Sequence, residues 1–218
     1  MIARRLLVSA ALAALTGCSE LPKQDPAKAG PFYTPSNVTR RSAQLPEDLR
    51  RVLVLPSSSV SAVPEESLVR LDEAILAELN RTGRFETVTV RREELRELFG
   101  SRAFSSTEAL PADLFSRLAK RYAADGVLFT DITQLNAYPP LSLGLRFKLA
   151  RLSDREVIWA ADNQFSASDP AVSNAARRHA LALGADRSPG DLSYTILQNP
   201  SRFAGYAAAE TFATLPSR

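Results

Sequence analysis

Leu141-Ser142-Leu143-Gly144-Leu145-Arg146-Phe147-Lys148-Leu149-Ala150 is the stretch on which the fold turns. Large apolar residues hold the odd positions, and small or charged residues hold the even ones. A repeat of two belongs to an extended strand with one face in a core and the other toward polar surroundings. Such a half-buried strand expects antiparallel neighbours. Ser153-Asp154-Arg155 is turn chemistry and leads into Val157-Ile158-Trp159-Ala160-Ala161, a strand running to Phe165. Upstream, Asn136-Ala137-Tyr138-Pro139-Pro140 is a connection, since proline cannot serve a central ladder. Before it, Val127-Leu128-Phe129 opens a third strand that continues to Leu135.

Further toward the N-terminus the pattern changes. Val52-Leu53-Val54-Leu55 is apolar without alternation, as in a strand covered on both faces. Pro64 opens a helix with Glu65 and Glu66 in its first turn, where the helix dipole favours acids. Leu68, Leu71, Ile75 and Leu79 share its buried face, and Gly83 ends it. Phe85, Val88 and Val90 mark a strand, and Arg91 to Phe99 a helix stopped by Gly100. Pro111 opens a helix with Leu114, Leu118 and Tyr122 on one face. Beyond the three-strand block, residues 170–183 are helical, 186–190 form a loop, and Asn199-Pro200 starts a last helix through Phe203, Tyr206 and Phe212. The order β-α-β-α-α-β-β-β-α-α defines an α+β fold, an α/β sandwich whose mixed, mostly antiparallel sheet is packed with helices.

Residues 18–48 carry Pro22, Pro26, Pro31, Pro35 and Pro46 among small and polar residues, and read as a disordered tether. The folded domain is expected over 49–218. Ahead of the tether, Arg4 and Arg5 precede an apolar run from Leu6 to Leu15, followed by Thr16, Gly17 and Cys18. The run would span roughly 15 Å as a helix, about half a bilayer core. This order resembles a bacterial lipoprotein signal peptide, residues 1–17, with its lipobox. The resemblance implies cleavage before Cys18 and acylation of that cysteine. With Ser19 next, it implies retention at the periplasmic face of the outer membrane.

The chain carries 27 lysines and arginines against 24 acidic residues, and two of those arginines lie in the leader. So even a balance excludes a basic nucleic-acid binder. Cys18 is the only cysteine, so lipidation would leave no disulfide and no thiolate metal ligand.

Val52-Leu53-Val54-Leu55-Pro56, Phe85-Glu86-Thr87-Val88 and Ala124-Asp125-Gly126-Val127-Leu128-Phe129-Thr130-Asp131 precede the hairpin from Leu143 to Trp159. From about Arg51 to Phe165 the succession resembles the periplasmic domain of the curli secretion channel lipoprotein and of the lipoprotein activator of penicillin-binding proteins. The N-terminal domain of the Tol-system β-propeller protein is similar. The long hairpins with which the curli channel builds its pore have no counterpart: five residues join Leu135 to Leu141, and residues 166–183 are alanine-rich and helical in pattern.

His179, the only histidine, follows Arg177 and Arg178 and reads as part of a solvated basic face. Ser57, Ser58 and Ser59 lie past the carboxyl end of a strand, a ligand position in open α/β sheets, but without a glycine-rich cradle or nucleophile elbow. Asp125, Asp131, Glu156 and Asp162 lack calcium-loop spacing. Trp159 reads as core. Tyr138-Pro139-Pro140 reads first as turn chemistry, and second as an exposed aromatic at a hairpin tip, the candidate partner contact. The expected function is a non-catalytic, lipid-anchored binding or scaffold protein of the cell envelope, without cofactor or metal, acting through contacts with an envelope protein. Two alternatives stay open: a lipid-anchored periplasmic hydrolase using Ser57 to Ser59 or a carboxylate pair, and an accessory subunit of a curli-like secretion complex.

Overall fold

A computed structural model describes residues 24–184 and 191–218. The leader, Cys18 and the loop at 186–190 lie outside the described residues. In chain order the elements are α1 (Pro26–Ala29), β1 (Val38–Arg40), β2 (Arg51–Val54), β3 (Ser58–Ser59), α2 (Glu65–Arg81), β4 (Glu86–Thr89), α3 (Arg92–Phe99), α4 (Leu114–Tyr122), β5 (Gly126–Asn136), β6 (Ser142–Arg151), β7 (Val157–Ser166), α5 (Pro170–Ala182), a 3-10 turn (Ser193–Gln198) and α6 (Pro200–Phe212).

One mixed sheet carries all seven strands, in the order β1-β7-β6-β5-β2-β4, with β3 pairing alongside β5. β5, β6 and β7 form the expected antiparallel meander, with Leu145 opposite Ile132 on one side and Asn163 on the other. β2 runs parallel to both β4 and β5. The alternation in β6 holds: Leu143, Leu145, Phe147 and Leu149 are all buried, while Ser142, Arg146 and Lys148 are half-exposed.

Helices cover both faces. The larger core lies under α2, α5 and α6, where Leu71, Ile75, Val172, Phe203 and Phe212 meet the odd residues of β6. The smaller lies under α3 and α4, where Leu95, Leu114 and Leu118 meet Leu53, Val127 and Phe129. β2 supplies both cores, Val52 to one and Leu53 to the other, which is why its sequence does not alternate. Gly100 ends α3 in the left-handed region at φ 77°, the conformation the sequence needed a glycine for. Pro111 does not itself open α4, which begins three residues later behind a turn closed by the Leu114 N–H on the Pro111 carbonyl.

Most of the segment expected as a disordered tether is ordered on the domain. From Gln24 to Asp48 the chain lies on the domain: Asp25 caps α1, β1 pairs antiparallel with β7, and Leu45 is buried. Tyr33 packs on Phe165 at 5.0 Å between ring centroids, and Phe32 lies under the Arg178 guanidinium at 3.8 Å. Leu49, just beyond, is fully buried, and its side chain fills the space above Gly126. These apolar residues reach the larger core at irregular spacing, so no periodicity announces them. The prolines shape an extended path across a surface instead of freeing the chain from it.

Candidate functional site

The β5–β6 hairpin projects at the end of the sheet where the parallel strands finish. Its tip is held by Asn136, whose side chain donates to the Pro140 carbonyl (3.0 Å) and accepts from the Tyr138 N–H (3.3 Å). Pro139 and Pro140 remove backbone freedom on the other side. Tyr138 is 80% exposed on this braced loop. Beside it runs an open groove of about 870 Å³ between the hairpin, the segment 61–64, the first half of α2 and the start of α6. Leu135 and Val63 supply apolar floor; Arg70, Glu73, Asn199 and Arg202 supply polar rim. Val60, also 80% exposed, leads into the groove from β3. An exposed aromatic on a rigid loop loses little conformational entropy on binding, which suits a contact residue.

The serines do not form a site. Ser57 is fully buried, its hydroxyl and carbonyl both accepting from Arg92 (3.3 and 2.9 Å), and its N–H donates to Asp72. Arg92 in turn donates to the Asp72 carboxylate at 2.6 Å. This cluster ties the end of β2 to α2 and α3. Ser58 and Ser59 form β3.

The scattered acids have structural partners. Asp125 accepts from the N–H groups of Arg50 and Arg51, joining the starts of β2 and β5. Glu156 pairs with Arg41. Asp131 and Asp162 flank Arg146 on one sheet face, because the register sets Asp131 opposite Arg146 and Arg146 opposite Asp162. Arg146 donates to Asp162 at 2.8 Å, and Asp131 accepts from the N–H and hydroxyl of Ser106. Among the described residues no group of three metal-ligating side chains gathers. None of the described helices is long and apolar enough to cross a membrane.

The basic face expected at 177–179 is not solvated. Arg177 is buried, held by Asp25, Asp191 and Ser193. His179 packs against the Tyr206 ring, with Nε2 3.7 Å from Glu78 Oε1, and Glu78 also pairs with Arg81. Arg178 alone stays at the surface. The helical period puts positions 177 and 179 on different sides of α5, but both sides are covered: one by the N-terminal segment, the other by α2 and α6.

Burial lowers the His179 imidazole below the ordinary histidine range; Glu78 acts upward and Arg81 downward. The folded state therefore resists a proton that the unfolded chain accepts. The stability His179 contributes is present above the ordinary histidine value and is lost as pH falls through the lowered one. In urea titrations between about pH 7 and pH 5, His179→Gln should flatten the fall in midpoint. An unchanged slope would assign the fall to other groups.

No family model and no curated protein matches the chain. Solved structures that it matches include the PelC dodecamer from Paraburkholderia phytofirmans, at 15% identity over 83% of this chain and 96% of that chain, TM-score 0.47. The lipoprotein GNA1162 from Neisseria meningitidis matches at 15% identity over 53% of this chain and 79% of that chain, TM-score 0.39. The LpoB C-terminal domain from Salmonella enterica matches at 18% identity over 53% and 82%, TM-score 0.35.

Proposed function

We propose that the chain is a non-catalytic, lipid-anchored protein of the bacterial envelope that works by docking a partner protein at the β5–β6 hairpin. The observation that carries this is Tyr138: exposed, braced by Asn136, and set beside an open groove with an apolar floor and a polar rim. Interfaces of this kind concentrate their energy in a few aromatic and arginine anchors, and Arg70 and Arg202 stand at the same groove. The leader and Cys18 support anchoring at the periplasmic face of the outer membrane. The hydrolase alternative is weakened because its serine is inside a structural cluster: Ser57 meets an arginine and a carboxylate but no general base positioned to free its hydroxyl.

A photo-crosslinking residue at position 138, in the lipidated protein within its own envelope, should attach to one envelope protein. With that partner purified, Tyr138→Ala should weaken binding about tenfold or more without lowering the melting temperature. Absence of any protein adduct, or undiminished binding by Tyr138→Ala, would refute the reading. A band that joins two copies of this chain would make the partner a second copy.

A further inference from the structure

β2 and β4 are adjacent and parallel, yet their connecting helices leave for opposite faces of the sheet. α2 follows β2 into the larger core; α3 follows β4 into the smaller. Strands whose chains part in this way leave a crevice outside their carboxyl ends. Here the crevice is a cleft of about 400 Å³, within the range that accepts a small ligand or a pair of side chains. Its walls are aliphatic: Val54, Leu55 and Pro56 from the end of β2, Val69 and Leu76 from α2, and Val90 from the end of β4. Val69 stands 42% exposed, apolar surface with nothing packed over it among the described residues.

The charges around this floor are unequal. Glu65, Asp72, Glu73 and Glu93 line the cleft against Arg91 and Arg92. Arg92 is engaged inward by Ser57 and Asp72, so that pair is neutral and offers nothing outward. Arg102 is shared between Glu65 and Glu93, one cation for two carboxylates. Glu73 is exposed and makes no ion pair among the described residues. With Arg91 included, the rim remains negative. The N-terminus of α3 does not reverse this, because the Glu93 carboxylate already sits in its first turn, where it accepts from Arg102. An anion entering the cleft meets carboxylates, whereas a cation with an aliphatic stem meets complementary charge at the rim and apolar wall below.

We propose that this cleft docks a segment of the partner protein in which an aliphatic side chain lies next to a lysine or arginine. The inference rests on the reading that the chain binds an envelope protein, and adds a second contact with its chemistry. Glu73 borders both the cleft and the groove beneath Tyr138. One partner therefore reaches both by crossing the first turns of α2.

The test uses the lipid-anchored full chain in its own envelope, with a photo-crosslinking residue at position 69 or at position 138, and mass spectrometry of the adducts. The expected result is attachment from position 69 to a segment with an aliphatic residue beside a lysine or arginine. Adducts from position 138 but none from 69, or adducts from 69 to an acidic or wholly polar segment, overturn the cleft and leave the docking function standing. Adducts from neither position overturn both. In a parallel arm, purified full chain is titrated with a capped peptide of alternating leucine and lysine, and with its leucine–glutamate counterpart. The lysine peptide should bind about tenfold or more tightly, weaken severalfold between about 50 and 300 mM salt, and lose most of its affinity to Glu73→Lys. Equal binding of the two peptides, or indifference to Glu73→Lys, overturns the proposal.

Discussion

Trp159→Ala is expected to lower the free energy of unfolding by about 4 kcal/mol, a large part of what a domain of this size commands. Trp159 is fully buried on β7, and its ring lies 6.2 Å from Phe147 and 6.1 Å from Phe212, which themselves meet at 4.7 Å. These three rings join β6, β7 and α6 across the larger core. The indole N–H also donates to the Thr214 hydroxyl at 3.1 Å, and that hydroxyl donates onward to the Thr211 carbonyl. Truncation therefore removes ring packing and leaves a buried hydroxyl without its donor, two penalties of different origin. Trp159→Phe separates them: it keeps most of the packing and should cost roughly 1–2 kcal/mol. Since Trp159 is the only tryptophan, the urea transitions must be followed by far-UV circular dichroism and not by indole emission. A loss below about 1.5 kcal/mol for the alanine variant would mean that α6 collapses into the space and that the core is softer than its packing implies.

The parts of this fold legible in the sequence are those where one element buries one periodic face. Leu143 to Leu149 gave β6 its face, and Leu71, Ile75 and Leu79 gave α2 its face, because each set repeats at the period of its own backbone. β1 is different. It is three residues long with only Val38 half-buried, and it exists because β7 offers it an edge more than a hundred residues away. No local window contains that information. The hairpin tip was legible, since the two prolines after Tyr138 exclude a ladder and leave the aromatic outside it. The cleft was not. Its walls come from the ends of two strands and the flank of a helix, and its charge balance depends on Arg102 reaching both Glu65 and Glu93. The serines past β2 lie near the end of the sheet where the cleft opens. The Ser57 hydroxyl, however, faces inward to Arg92, and its backbone N–H is taken by Asp72.

Arg177→Met should cost about 2–3 kcal/mol and should loosen the N-terminal segment before the rest of the domain. The Arg177 side chain is 4% exposed, and each of its nitrogens has an acceptor. Nε donates to the Ser193 hydroxyl, Nη1 to one oxygen of Asp25, and Nη2 to the other oxygen of Asp25 and to Asp191. The Tyr194 ring lies under the guanidinium at 3.8 Å. Asp25 is also the cap of α1, and its carboxyl is held below the ordinary range, first by the Ala27 N–H and then by Arg177. The cost is placed below that of a fully buried pair because both aspartates keep partial access to water and rehydrate once the arginine is gone. Methionine preserves the apolar stem, so the loss reports the charged contacts more than the packing. Hydrogen exchange is the discriminating measurement: amides from Ala27 to Arg41 should exchange faster in Arg177→Met, while those of β5 and β6 follow only the global change. Uniform acceleration across the sheet would show that the N-terminal segment and the domain unfold as one unit. In the expected outcome, one arginine that looks like surface charge in the sequence decides whether the segment from Ala27 to Arg41 stays on the domain.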